Sequence, residues 1–582
     1  MRDTIASLHR ARLAREKGAV IKDWGGRISI ALVYPNHYRI GMSSLGYQVL
    51  YGLFNRHDKV VAERFFKPEQ IEMPLYLEGG KGLLSLESLS PLNRFDLIAF
   101  SLSFENDYPN ILKILELGKI PLLSAEREWI RPLVMAGGVT TFLNPEPIAP
   151  FFDFFLIGEA ESFLDEFIHV FEENRDAFDN RRDFLGFLAR SLGNLYVPSL
   201  YETMYGKDGT IHSMMPIGRD IPPRIRSPRL EVAGASVTTS GIMTPDTAFS
   251  NKVLIELGRG CGRSCRFCAA GYVYRPPRVR GEEELYSAVD RVMGGCANLG
   301  LLSAAVSDTP GIENLTETIL KKGGRFSVSS LRADSLSGTL IDHLKASGQK
   351  TIAIAPEAGS ERLRKVVNKH LTKDQIIDSV RLIAGKEAFS LRLYFLIGLP
   401  TETRQDFEEI LELVKSIRHH MIKESKGRGK IGHIRLSVNC FIPKPFTPFQ
   451  WHPMEQMSSL KEKQKWLKKS LGREGGVTVS FDLPKWAYIQ TLLSMGDRRV
   501  ASMLLLSHKH NGNWAKALRF SDMNPDFFIY RPRKLDEVLP WDFIDHGIRK
   551  AHLITEYRLA LQGRESEACR VGECKRCGVC GE

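Results

Sequence analysis

The sequence predicts an α/β protein in three parts: a doubly wound N-terminal domain over 1–235, a partial (β/α)6 barrel over 245–480, and a largely helical C-terminal region over 481–582. Three observations carry this reading. Short apolar runs alternate with helix-period segments through the first part, six β-then-α units follow one another in the second, and the pattern turns helical after about 479. A chain of 582 residues is also too long for one core, since a domain takes roughly 100–200 residues.

In the first part, residues 28–34 (ISIALVY) form a continuous apolar run ending at Pro35-Asn36, and Leu45, Val49, Leu50 and Leu53 then recur at helical spacing. Further strand candidates lie at 97–102, 133–136 and 154–157, an alternation expected of a doubly wound sheet. Residues 196–215 are short and strand-like, broken by Asp208-Gly209. Residues 234–246 (GASVTTSGIMTPD) are small and turn-forming, and read as a linker.

In the second part, strand candidates recur at 253–257, 301–306, 326–329, 351–355, 391–397 and 434–439, with helix-period segments such as 282–293, 373–384 and 406–417 between them. Successive βα units imply a curved parallel sheet with its active site at the carboxyl ends of the strands. In the third part, Leu492, Val500, Met503 and Leu504 mark a core seam, and the chain ends in a cysteine-rich tail.

The composition is that of a folded protein, 43% hydrophobic and 25% charged. Lysine plus arginine exceed aspartate plus glutamate by 12, an excess that attracts nucleic acid or an anionic substrate. No basic block or RNA-recognition signature accompanies it, so RNA stays open as a partner beside a basic solvated surface. Residues 1–18 lack the apolar run of a secretory signal, and no run reaches the ~18 residues a membrane helix needs. A cytoplasmic protein with no membrane partner is expected, in a reducing compartment where cysteines serve as metal ligands.

The chemistry concentrates in residues 258–270 (GRGCGRSCRFCAA), where Cys261, Cys265 and Cys268 stand in C-x3-C-x2-C spacing directly after the first barrel strand. Three thiolates can bind three irons of a cubane and leave the fourth without a protein ligand. A structural zinc site would want a fourth ligand, which this loop lacks. The tail places Cys569, Cys574, Cys577 and Cys580 in C-x4-C-x2-C-x2-C spacing, which suits a second [4Fe–4S] cluster or a zinc ion. Cys296 and Cys440 stand alone in apolar patterns and read as small buried hydrophobes.

The three-cysteine loop, with Phe267 before its third cysteine, resembles the signature of the radical S-adenosylmethionine (radical SAM) superfamily. That resemblance implies a [4Fe–4S] cluster on Cys261, Cys265 and Cys268 as the catalytic centre, with SAM chelating the open iron. One electron would then cleave SAM to methionine and a 5′-deoxyadenosyl radical that abstracts hydrogen from an unidentified substrate. An electron donor such as a flavodoxin or ferredoxin is implied too.

The resemblance further places cofactor contacts at Asp308 for the SAM amino group, Arg332 for its carboxylate, Glu357 and Ser360 near the ribose, and Gly398 at the adenine edge. Asp308 stands where the family has a Gly-Gly-Glu motif, and the glycines are missing. Residues 441–451 (FIPKPFTPFQW) make a stiff loop, expected to wall the substrate cavity.

That loop, with Tyr34-Pro35-Asn36, residues 41–46 (GMSSLG), Ala136-Gly137-Gly138, residues 144–147 (NPEP) and residues 158–161 (GEAE), resembles radical SAM proteins that carry an N-terminal cobalamin-binding-like domain. The cobalt-ligating D-x-H-x-x-G loop is not matched. Residues 34–41 read YPNHYRIG, so His37 is a loop histidine, and cobalamin binding without a protein ligand stays open. Methylthiolation would imply further cysteines ahead of Cys261, and the chain has none there. The competing reading is an RNA-binding protein with structural iron–sulfur or zinc centres.

Overall fold

The computed structural model describes residues 4–78, 82–128 and 130–581; residues 1–3 of the N-terminal stretch lie outside them. The first sheet contains β1 (Ile28–Tyr34), β2 (Val60–Phe66), β3 (Leu97–Ser101), β4 (Leu133–Gly137), β5 (Phe154–Leu156) and β6 (Leu195–Tyr196). They lie in the order β2-β1-β3-β4-β5-β6. All pairings are parallel except β5 with β6. The expected doubly wound order is present, and its direction reverses between β1 and β3. In such a sheet a ligand crevice forms beyond the carboxyl ends at that point.

Two of these strands escape the sequence pattern. The run of β2 (VVAERFF) is interrupted by Glu63 and Arg64, both buried. The sheet tolerates the Arg64 guanidinium because Glu16 and Glu87, from distant segments, each pair with it at 2.6 Å. The other, β6, has only two residues. A hairpin of β7 (Tyr201–Tyr205) and β8 (Ile211–Pro216) follows, turning at Asp208-Gly209, and then the short β9 (Ile225–Arg226). Residues 234–246 carry no helix and are pinned by isolated bridges from Met243 to Lys17 and from Thr239 to Ile255.

The second body opens with β10 (Val253–Glu256), β11 (Gly258–Arg259) and β12 (Arg278–Val279), then β13 (Asn298–Leu302), β14 (Arg325–Val328) and β15 (Ser330–Leu331). It continues with β16 (Thr351–Glu357), β17 (Ser390–Ile397), β18 (Ile434–Cys440) and β19 (Val477–Phe481). Parallel sheets β10-β13-β14 and β15-β16-β17-β18-β19 are joined where β14 runs into β15 across Ser329, giving a curved, open sheet rather than a closed barrel.

All six expected strands form, with two corrections. The second is Asn298–Leu302 rather than 301–306, and Val306–Asp308 is a 3-10 turn. Gly300, which reads as punctuation, lies inside this strand because a side chain there would meet Leu254 at 2.6 Å. A seventh strand, β19, extends the sheet across the expected domain boundary at 480; its alternation (VTVSF) is too short to stand out beside the helices that follow.

The C-terminal region is helical, through Pro484–Met495, Ala501–Lys509, Trp514–Phe520 and Lys550–Leu561, apart from β20 (Ile544–Asp545), which pairs with β9. Leu492, Val500, Met503 and Leu504 are fully buried, as their spacing predicts. This region also straps onto the first sheet. Asn144 Nδ2 donates to the Ser494 and Gly496 carbonyls, and Arg498 Nε donates to Glu146 at 2.9 Å. Cys440 is buried, but Cys296 is only half-buried, in the turn after Glu282–Met293, because the helix ends before reaching it.

Candidate active site at the strand ends

The three-cysteine loop hangs from the carboxyl end of β10, clasped at its base by the antiparallel pairing of β11 with β12. Gly258 and Gly260 are required at that base: a Cβ on either would lie 2.6 Å from the carbonyl of Arg278 or Tyr274 respectively. Between the cysteines the chain turns through a left-handed Ser264 (φ 58°). Its carbonyl accepts from Tyr272 Oη and Asn368 Nδ2, both at 3.2 Å. Arg275 Nη2 donates to the Ser264 hydroxyl at 2.6 Å. Arg266, fully buried, donates from Nη1 to the Val366 carbonyl and from Nε to Glu556 on the helix Lys550–Leu561, both at 3.0 Å. The loop is therefore fixed by the whole fold around it.

The three thiols lie within electrostatic reach of one another. Burial pushes the Cys268 thiol up to about 12, with Cys265 and Cys261 adding to the effect. Burial raises Cys265 as well, against the pull of Lys369 and Arg332. A metal centre displaces such protons on binding, and thiolates crowded together need cations nearby, which Lys369 and Arg332 supply. Among the described residues no three His, Cys, Asp or Glu side chains stand in ion-holding geometry. The fit to a cluster therefore rests on the donor set: three adjacent thiols with compensating cations.

Glu357 closes β16 at a register shift, in a left-handed conformation (φ 67°), and accepts from Lys369 Nζ at 3.0 Å. It reaches the electrostatic field of Cys265. Arg332 pairs with Asp334 at 2.9 Å and donates to the Lys369 carbonyl. Asp308 is held by Arg263, through bonds of 2.8 and 2.9 Å, which hold its carboxyl below the usual range despite burial. Two expected SAM contacts, Asp308 and Arg332, thus already belong to a chain of ion pairs running through Arg263 and Asp334.

The remaining two sit differently from expectation. Ser360 is buried, caps the helix Glu361–Val366 and donates to Asp406 at 2.5 Å, so its hydroxyl is already engaged. Gly398 does need its positive φ of 80°, but a Cβ there would strike Glu455 and Leu460 rather than open space. Phe267 and Leu396 each pack against an apolar cluster that includes Ala358, Leu399, Phe441 and Phe449 near the ends of β16, β17 and β18. The stiff loop 441–451 thus buries its aromatics instead of walling a cavity, because Phe449 and Trp451 are fully enclosed.

The tail docks beside this loop. Cys569 N–H donates to the Gly262 carbonyl at 2.9 Å, between the first two cysteines of the loop, and Ser566 N–H donates to Asn368. Cys569 lies in the electrostatic field of Cys574, Cys577 and Cys580. Four thiols therefore gather against the outside of the three-cysteine loop, a donor set suited to either metal.

Sequence reasoning missed Lys369, Arg263, Arg266, Arg275 and Asn368. The only available signal was the polar run Asn368-Lys369-His370 interrupting an apolar helix pattern, with Asn368 and His370 both left-handed.

A cavity of about 490 Å³ lies between the carboxyl ends of the two sheets. Ser101 at the end of β3 and Ser103 just beyond it, Leu45 and Val49 after β1, and Arg259 and Tyr274 beside the cysteine loop line it. Its acidic cluster is compensated: Arg259 binds Glu159 and Glu256, and Arg278 also binds Glu159. His37 is not among the lining residues; its Nδ1 bonds the Lys67 carbonyl at 3.1 Å instead.

Two family models match the chain: "Radical SAM proteins, N-terminal" over residues 46–198 and "Radical SAM superfamily" over residues 255–414. An uncharacterised protein of Methanocaldococcus jannaschii is 31% identical over 82% of this chain and 90% of its own length. A tRNA-2-methylthio-N(6)-dimethylallyladenosine synthase of Desulforamulus reducens is 24% identical over 29% of this chain, which spans 40% of that protein. Among solved structures, the radical S-adenosylmethionine methyltransferase TsrM from Kitasatospora setae, with cobalamin and a [4Fe-4S] cluster bound, is 14% identical. That likeness has a TM-score of 0.45 over 72% of this chain and 74% of TsrM.

Proposed function

The chain belongs to the radical SAM superfamily of enzymes, which bind SAM and a [4Fe–4S] cluster, and from that premise we propose that Cys261, Cys265 and Cys268 hold the cluster for reductive SAM cleavage. The observation that carries this is the clasped loop itself, with its three thiols grouped at the end of β10 beside Lys369 and Arg332. The bound group supplies one electron to the SAM sulfonium; the chain's own residues shape and charge the site.

Arg266, Arg275 and Asn368 keep the loop backbone fixed, so that the thiols need little reorganisation to take up the irons. Lys369 balances thiolate charge and holds Glu357 at the end of β16, where the carboxylate can accept from a ribose hydroxyl. Phe267 and Leu396 offer an apolar surface for a flat base. Arg332 can turn from Asp334 to the carboxylate of SAM, at the cost of one exchanged ion pair. The cavity between the two sheets takes the reacting part of the substrate. The test is anaerobic reconstitution followed by SAM and dithionite: 5′-deoxyadenosine should form in the wild type and not in the Cys261, Cys265 and Cys268 triple alanine variant. Cleavage by that variant would refute the assignment.

A second ligand in the same cavity is favoured by the sheet order, because the cavity sits beyond the β1/β3 switch point. A corrinoid there would be held without a histidine from His37. No helix among the described residues is long and apolar enough to cross a membrane.

A further inference from the structure

The curved sheet has two faces, and they are unlike. Along β17, Leu391, Leu393, Phe395 and Ile397 are fully buried in the main core, with helix residues such as Val380 and Val414. The alternate residues Arg392, Tyr394 and Leu396 point the other way, and Leu396 packs against the same apolar cluster as Phe267 of the cysteine loop. This is the inner face, which opens onto the cofactor end. On β18 the same face carries Arg435, Ser437 and Asn439, and on β19 it carries Thr478 and Ser480.

In a filled barrel such inward residues are bulky and packed in layers. Here Arg392, Arg435, Thr478 and Ser480 are all exposed. Moreover, Arg392 and Arg435 are direct register partners on neighbouring parallel strands, and Thr478 partners Arg435 on the next. Strands lie about 4.8 Å apart, and like charges facing each other at that spacing destabilise a sheet. Neither guanidinium has a hydrogen-bond or ion-pair partner among the described residues. The contrast with arginines at the cofactor end is sharp, since Arg259, Arg263, Arg266, Arg278 and Arg332 all have carboxylate partners.

We propose that Arg392 and Arg435 form an anion site on the inner face of the sheet that takes the phosphate group of an elongated substrate of the reaction proposed above, on which this inference rests. Two adjacent guanidiniums, each a planar fork of donors, match the oxygens of a phosphate or diphosphate. Thr478 stands on the same rung, its hydroxyl 3.1 Å from His433 Nε2. Arg392 lies four residues below Leu396, so at ~3.3 Å per residue the rung is roughly 13 Å from the cofactor end. A substrate gripped there by its phosphate must carry its reacting carbon roughly 13 Å away, the distance from the rung to the strand ends. A phosphate on a small molecule and one in an RNA strand present the same chemistry to the rung.

The test measures binding of inorganic pyrophosphate, adenosine diphosphate and a short oligoribonucleotide to the full chain by calorimetry, without SAM. Pyrophosphate should bind, and Arg392→Gln and Arg435→Gln should each weaken it roughly tenfold, the loss of one charge-assisted hydrogen-bonded partner. Lys423→Gln, on the exposed outer surface, should not. Tighter binding of adenosine diphosphate than of the oligonucleotide supports a small phosphorylated substrate, and the reverse order, with a steep fall in added salt, supports RNA; either upholds the site. No binding of any probe, wild-type affinity in the two arginine variants, or the same weakening by Lys423→Gln overturns it. Circular dichroism confirms that the variants remain folded. Anion binding is read apart from SAM cleavage, so failure of one measurement does not imitate failure of the other.

Discussion

Replacing Glu357 by Gln should destabilise the protein and weaken SAM binding together, through one partner. Lys369 Nζ lies 3.0 Å from Glu357, with the two side chains only 9% and 13% exposed. Deleting one partner of a buried ion pair costs about 3–5 kcal/mol because the other charge stays desolvated; incomplete burial places this pair near the lower end. A loss of about 3 kcal/mol lowers the melting temperature of a domain of this size by roughly 6–12 °C. The double variant Glu357→Gln/Lys369→Met should recover most of the stability and none of the SAM affinity. Lys369 also feels Cys265, so thiolates paired to iron should partly replace the lost carboxylate, and the single variant should be less damaging in the cluster-loaded protein than in the metal-free one. Calorimetric melting of both forms and equilibrium dialysis with SAM measure these effects. A shift below about 2 °C in the metal-free protein, with SAM affinity unchanged, would refute the coupling.

Three further outcomes are expected. Deleting residues 569–580 should remove a second metal increment, from about eight irons to four if the tail carries a cube, or one zinc if it does not. It should also loosen the first site, because the Cys569 bond to Gly262 is lost; four irons and no zinc in carefully prepared full-length protein would eliminate the tail site. His546 is buried with its Nε2 donating to Phe142, and burial, with Arg229 nearby, lowers its pKa to about 4. A depressed histidine leaves stability intact above about pH 6.5 and erodes it as pH falls toward 4, by about 3 kcal/mol in total; denaturant midpoints across that range should flatten in His546→Asn, and an unchanged slope would count against the assignment. Gly138 has φ 110°, and a Cβ there would lie 2.3 Å from the Leu102 carbonyl, so Gly138→Ala should cost more than about 2 kcal/mol, and a normal melting temperature would contradict it.

The sequence by itself determined the local chemistry and the order of elements. A C-x3-C-x2-C loop after an apolar run, the repeated βα units and the buried seam at Leu492 and Met503 are all patterns within short windows, and short windows are where backbone periodicity acts. Strands whose apolar character is broken were not legible: β2 contains Glu63 and Arg64 because Glu16 and Glu87, far along the chain, neutralise the guanidinium. Tertiary structure alone decided which charges remain available. Arg263 and Arg332 look equivalent to Arg392 and Arg435 as isolated residues, yet the first two are drawn into ion pairs with Asp308 and Asp334, whereas strand register sets the second two side by side without a carboxylate. The same holds for the tail, whose cysteines advertise a metal site but not their contact with Gly262. Charge pairing and docking depend on distances between residues that lie from tens to hundreds of positions apart, as Arg263 and Asp308 or Gly262 and Cys569 do, and those are fixed only when the sheet curves and the C-terminal helices close over it.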